Sequence, residues 1–148
     1  MLINSYEHTV DAKGRLFIPA KWRDDLGSTI IVTRGLAGKG DRRWLFGMSM
    51  ARWGEFLEKF NSVPIADIVT QNALRKTLAM ACECELDKQG RILITSALRE
   101  QAGIDKDVTL IGMGRRIEIW DTARWKEILN SEDETDDMVL AHLAGLGI

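Results

Sequence analysis

The chain has 148 residues, of which 45% are apolar and 28% charged, with a formal net charge of −2. Those proportions suit a folded chain with a sizeable core and exclude a disordered one, and nothing in the sequence resembles a membrane-spanning segment. Cys82 and Cys84, one residue apart, cannot found a disulfide framework, and His8 and His142 stand at no metal-ligand spacing from them, so both are read as reduced thiols and no metal site is expected.

In chain order, "MLINSYEHTV" lacks the basic-then-apolar order of a secretory signal, which points to the cytoplasm. A short strand is expected in "YEHTV", followed by the tight turn "DAKG". The apolar run "RLFI" then reads as a strand buried on both faces. Pro19 precedes a short helix that Gly27 ends as a left-handed cap. Next come a strand in "TIIVTR", a glycine-bearing hairpin in "GLAGKGDRR" and a strand in "WLFGM". In "ARWGEFLEKF", Trp53, Phe56, Leu57 and Phe60 fall on one helical face. Pro64 suits a first helical position, and Ile65, Ile68, Val69, Ala73, Leu74 and Leu78 form a stripe. The segment is expected to join the halves as a helix rather than a loose linker, with two pseudo-symmetric halves packed as one body.

The same series then recurs. "CECEL", the turn "DKQG", the run "RILI", a helix capped by Ser96 and ended by Gly103, the strands "DVTLIG" and "IEIW" around "GMGRR", and a helix in "DTARWKEIL" follow in turn. Asp121 is the expected cap of that last helix, and Trp125, Ile128 and Leu129 its apolar face. At an offset of 76, Asp11 matches Asp87, Gly14 Gly90, Arg15 Arg91, Ile18 Ile94, Arg23 Arg99 and Gly27 Gly103. Ala-Arg-Trp recurs at 51–53 and 123–125. A mainly β chain with helices, of α+β class, is therefore expected, built from two pseudo-symmetric halves. The expected divisions are a first repeat over 5–60, a connecting helix over 61–80, a second repeat over 81–130 and an acidic tail over 131–148. One half alone has too few strands to stand, and two halves exchanging strands close each other.

Charge is unevenly spread. Glu132, Asp133, Glu134, Asp136 and Asp137 gather near the end, and without those five acids the remainder carries a net +3. Cations cluster at Lys39, Arg42 and Arg43, at Arg75 and Lys76, and at Arg115 and Arg116. The hairpin arginines are read as solvated loop charge, and the five tryptophans as core and interface packing.

The doubled Asp-x-x-x-Arg turn carries the functional signal. Gly14 can take positive φ, Asp11 can accept backbone amides, and the reversal lets Asp11 pair with Arg15. A bracing ion pair alone contributes about 0–1 kcal/mol. The turn occurs twice, however, and each tip is more basic than bracing needs: Lys13 beside Arg15, and Lys88 with Gln89 beside Arg91. A guanidinium fork fits guanine or phosphate, glutamine fits adenine, and a two-stranded ribbon fits the major groove. The expected DNA contacts are thus Lys13, Gly14, Arg15, Lys88, Gln89 and Arg91, oriented by Asp11 and Asp87. In the second copy the residues leave DNA contact and simple bracing both open. No nucleophile turn, phosphate loop or paired histidine supports an enzyme, so no catalytic residue and no cofactor are expected. A protein-binding module is the remaining alternative.

"DAKGRLFIPAKWR", "DKQGRILITSALRE" and "IGMGRRIEIWDTARW" resemble the MraZ family, bacterial transcription regulators with two AbrB-like units, from Tyr6 to about Leu129. The resemblance implies a double AbrB-like swapped-hairpin β barrel and homo-oligomeric rings in the cytoplasm, associated with the nucleoid. It implies binding of double-stranded DNA at repeated promoter elements upstream of the division and cell-wall gene cluster, usually with repression, and neither a membrane nor a small-molecule substrate. The alternative is an antitoxin-like protein-binding module without direct DNA readout. The family's basic motif maps onto Asp11, Lys13, Gly14 and Arg15, and onto Asp87, Gly90 and Arg91. Pro19 becomes Thr95 in the second copy, a departure at the helix start rather than in the turn.

Overall fold

A computed structural model describes residues 1–36 and 43–148; Lys39 and Arg42 of the expected basic hairpin lie outside the described residues. The first repeat contains β1 (Ser5–Thr9), β2 (Arg15–Phe17), a 3-10 turn (Ala20–Trp22), α1 (Arg23–Leu26), β3 (Thr29–Arg34), β4 (Leu45–Ser49) and α2 (Met50–Asn61). After α3 (Ile68–Ala79) come β5 (Cys82–Glu85), β6 (Arg91–Leu93), α4 (Ser96–Ala102), β7 (Asp107–Gly112), β8 (Ile117–Asp121), α5 (Thr122–Leu129) and α6 (Asp136–Gly145). The class is mixed α+β with antiparallel pairing throughout the described strands.

Six strands form one sheet in the order β1-β7-β8-β4-β3-β5, and β2 pairs with β6 in a separate ribbon. The order is a palindrome in the repeats: β1 of the first half pairs with β7 of the second, and β5 of the second with β3 of the first. The halves are therefore built from each other's strands. The two edge strands β1 and β5 are not partners, so the hydrogen-bonded strands form an open sheet and a ribbon rather than one closed sheet.

Strand alternation sorts the side chains. Ile30, Val32, Leu45, Val108, Leu110, Ile117 and Ile119 face one core with Leu16, Ile18, Ile92 and Ile94 from the ribbon region, Trp22 and Leu26, and Leu98 and Ala102. On the opposite face Ile31, Phe46 and Met48 meet Trp53 of α2, with Phe56 and Leu57 packed beside them. That helix starts where the Ser49 hydroxyl accepts the Arg52 amide.

Several expectations change in detail. The runs around Leu16 and Ile92 are not buried on both faces: Leu16 and Ile92 are sealed, while Phe17 and Leu93 are exposed, because only one side of the ribbon lies on the core. Thr95 rather than Ser96 caps α4, since its hydroxyl reaches the Leu98 amide three residues on. Gly103 is left-handed at φ 63 and ψ 30, whereas Gly27 combines φ 77 with an extended ψ of −170. Asp121 precedes α5 without capping it, and its carboxylate accepts the Asp105 amide instead. Asp67, not Pro64, begins α3. The stripe of α3 does not fill an interface within the chain: Ile65, Ile68, Val69 and Leu78 are exposed. A buried polar bond, Thr33 Oγ1 donating to the Thr77 carbonyl at 2.6 Å, ties the helix to β3. In α5, Leu129 also stays exposed.

Candidate nucleic-acid interface

Each turn is shaped by one carboxylate. In the first, Asp11 Oδ1 accepts the amides of Lys13 at 3.0 Å and Arg15 at 2.9 Å, and Oδ2 accepts Arg15 Nε at 2.7 Å. In the second, Asp87 Oδ1 accepts the amides of Gln89 and Arg91, both at 2.9 Å, and Oδ2 accepts Arg91 Nε at 2.8 Å. The Gly14 amide donates back to the Asp11 carbonyl, and the Gly90 amide to the Asp87 carbonyl. Both reversals need a left-handed residue, and Gly14 at φ 88 and Gly90 at φ 80 supply it. Amide donation from Arg15, then the arginine side-chain bond, holds the Asp11 carboxyl below its ordinary range; Arg91 does the same for Asp87. Each brace engages Nε, so the guanidinium's two terminal nitrogens take no part in that bond.

The turns meet across the ribbon. Its register pairs Arg15 with Leu93, Leu16 with Ile92 and Phe17 with Arg91, so one local two-fold relates the copies. Gly14 lends its carbonyl to the Ile94 amide at 2.8 Å, and Gly90 lends its own to the Ile18 amide at 2.9 Å. Cross-strand partners share a face, so Arg15, Leu93, Phe17 and Arg91 all lie on the side away from the core. Lys13, Lys88 and Gln89 are exposed at the tips, while Gly14 is buried and contributes backbone shape.

Two further arginines, matched in the repeat but given no role by the sequence, support the turns from behind. Arg23 Nε donates to the Ile18 carbonyl and Arg99 Nε to that of Ile94, at 3.0 and 3.2 Å. The guanidinium of Arg23 lies under Gly90, and that of Arg99 under Gly14, so each repeat braces the other's turn. A side chain added at Gly14 would stand 2.7 Å from the Ile94 carbonyl oxygen and 3.3 Å from Arg99 Nη2.

Arg116 is not a solvated loop charge: it donates from Nε and Nη2 to Glu118 Oε2 at 3.1 and 2.8 Å, and Glu118 Oε1 accepts Trp120 Nε1. Its guanidinium also lies 5.9 Å from the Trp44 ring, which stacks on Trp120. Arg43, Arg75, Lys76 and Arg115 are exposed. Both cysteines are free thiols on β5, and burial pushes the Cys84 thiol up to about 12, which keeps it protonated. Among the described residues no group of three His, Cys, Asp or Glu side chains could hold a metal, and no helix is long and apolar enough to cross a membrane.

Comparison with known proteins places this geometry in a family. Residues 1–76 and 77–140 each match the family model described as "MraZ protein, putative antitoxin-like". Proteins named "Transcriptional regulator MraZ" from Caldicellulosiruptor bescii and from Thermoanaerobacter sp. strain X514 are each 43% identical to this chain over 148 residues, covering all of both chains. One of the same name from Acetivibrio thermocellus is 40% identical over the same span. With both repeats matched and full-length relatives at this identity, the chain belongs to the MraZ family.

Proposed function

We propose that this protein regulates transcription, as its relatives' names state, by reading double-stranded DNA with its two Asp-braced arginine turns. The observation that carries the reading is the ribbon itself: both turns fix Nε inward on a carboxylate and leave two guanidiniums on one exposed face. Arg15 and Arg91 are the readers, Lys13, Lys88 and Gln89 their neighbours at the tips, Gly14 the backbone hinge, and Asp11 and Asp87 the orienting acids. A ribbon of this width fits the B-DNA major groove, where a guanidinium pairs with guanine O6 and N7.

The exchanged strands are those of a double AbrB-like swapped-hairpin barrel, divided into repeats over 5–60 and 81–130, a connecting helix over 61–80 and a tail over 131–148. The protein acts as a repressor in the cytoplasm, on the nucleoid, at repeated promoter elements upstream of its own division and cell-wall gene cluster. It needs no cofactor and performs no catalysis. Few cations per turn bind weakly at physiological salt. A homo-oligomeric ring places several turns against repeats about 10 bp apart, and linkage of this kind raises affinity by about 10²–10⁴.

A gel shift with the DNA upstream of its own gene, titrated with salt, tests the reading. Arg15→Ala should remove most binding while the thermal midpoint stays nearly unchanged. A large fall in stability with binding retained per folded molecule would return the turn to a bracing role. The family description favours a second reading, an antitoxin-like module that binds protein through the same face. A partner that covers the turns, with no DNA shift by the wild type, is its signature.

A further inference from the structure

The ribbon carries two apolar side chains that the fold does not use. Phe17 is 44% exposed and Leu93 53% exposed, at equivalent places in the two repeats, while Leu16 and Ile92 beside them are sealed. A three-residue strand could have put polar residues outward at no cost to the core; here both copies put apolar ones. Their cross-strand neighbours on the same face are Arg91 and Arg15, and the Arg91 guanidinium stands 5.8 Å from the Phe17 ring centroid.

That combination narrows the occupant. An apolar protein surface laid here would take the terminal nitrogens of two guanidiniums out of water, where the bracing aspartates satisfy only Nε, and would offer them no acceptor. A purely phosphate surface would leave the ring and the leucine unmatched. The major groove offers both chemistries: acceptors on guanine and phosphate for the arginines, and the thymine C5-methyl for apolar side chains. We infer that the outer face of the β2–β6 ribbon, and not only its tips, contacts DNA, with Phe17 and Leu93 set against thymine methyl groups. This rests on the DNA-binding reading above and adds a second source of specificity to it. The arginines select guanine and carry the salt dependence; the apolar pair selects thymine without changing ion release.

Replacing thymine by deoxyuridine in the duplex removes only the methyl, so the two sources separate. The probe is the duplex upstream of the protein's own gene, made with thymine or fully with deoxyuridine, at several salt concentrations. Wild-type protein should bind the deoxyuridine duplex less tightly, by about fourfold for each thymine methyl that the ribbon would otherwise cover. Phe17→Ala and Leu93→Ala should each shrink that ratio and keep the wild-type salt slope, whereas Arg15→Ala should weaken both duplexes and lower the slope. Phe17→Leu, the more conservative change, should keep part of the ratio and controls for folding. Equal wild-type affinity for the two duplexes, an unchanged ratio in both alanine variants, or a change in their oligomeric mass would overturn the inference while leaving arginine readout standing. Failure of the wild type to bind either duplex would instead remove the DNA reading itself, and this inference with it.

Discussion

The Arg15 side chain is 36% exposed and the Arg91 side chain 19%, although both turns make the same hydrogen bonds to the same carboxylate atoms. The cause lies across the ribbon. Arg91 faces Phe17, whose ring lies under its guanidinium, and Arg15 faces Leu93. One aromatic-for-aliphatic difference therefore covers one reader and leaves the other open. Duplication fixed the backbone twice, and a neighbour outside the repeated motif set how far each copy reaches. Arg15, more open and flanked by Lys13, is the stronger reader under the proposed function. Arg91 is more covered, and Gln89 stands where the first copy has a lysine.

The largest effect expected from testing this comparison is in the hinge glycines. Gly14→Ala adds the penalty of a left-handed alanine to a clash with the Ile94 backbone carbonyl, which cannot swing aside. We expect a loss of about 2–4 kcal/mol in chemical denaturation. Gly90→Ala meets the end of the Arg23 side chain, which can give way only by leaving its bond to the Ile18 carbonyl, so its cost should add about 0.5–1.5 kcal/mol to the conformational penalty of about 1–2 kcal/mol. Equal losses would mean that the two turns are equally confined.

Next in size is the arginine pair. Loss of a good bidentate base contact costs about 1–3 kcal/mol of discrimination, and Arg15→Ala should sit at the upper end and Arg91→Ala below it when both are measured by gel shift. The reverse order would sink the argument from exposure. Exchanging the neighbours, with Phe17→Leu and Leu93→Phe together, should transfer the cover from Arg91 to Arg15. Cation–π contact at exposed sites contributes about 0.5–1 kcal/mol, so total stability should hardly move while the ranking of the two arginines narrows or inverts.

The smallest effect is on acid titration. Both aspartates have folded values below the ordinary 3.8, so the stability they add is present above that pH and is lost as the pH falls through their depressed values. Amide signals of Lys13 and Gln89, followed by NMR, should be constant above about pH 5 and should shift together only below about pH 4. Movement near neutral pH would mean that some group other than Asp11 and Asp87 controls the turns.

How much of this is legible in the residues follows from what each signal depends on. The turns are readable because their chemistry is local: Asp11, Gly14 and Arg15 lie within five residues, and so do Asp87, Gly90 and Arg91. The repeat, the α+β class and most strands are readable from offset and patterning. The stripe on α3 is sound as a pattern, yet Ile65, Ile68, Val69 and Leu78 are exposed, because periodicity shows which face is apolar and not what covers it. The same limit applies to "RLFI" and "RILI", where a continuous apolar run conceals that Phe17 and Leu93 face outward. Arg116 reads wrongly as loop charge for a related reason, since its partner Glu118 is an acid whose burial only the folded sheet creates.

The sequence thus determined the two reversals and the aspartates and arginines within them, since these depend on atoms a few bonds apart, and the doubling of the unit, which the offset of 76 residues shows directly. Tertiary structure alone decided that the strands cross between repeats, that Arg23 and Arg99 each support the other half's turn, and that Phe17 covers Arg91 while Leu93 leaves Arg15 open. Those contacts join residues 50 to 106 positions apart, from Val32–Cys82 to Ser5–Ile111, and the pairings β1–β7, β3–β5 and β2–β6 bring them within reach.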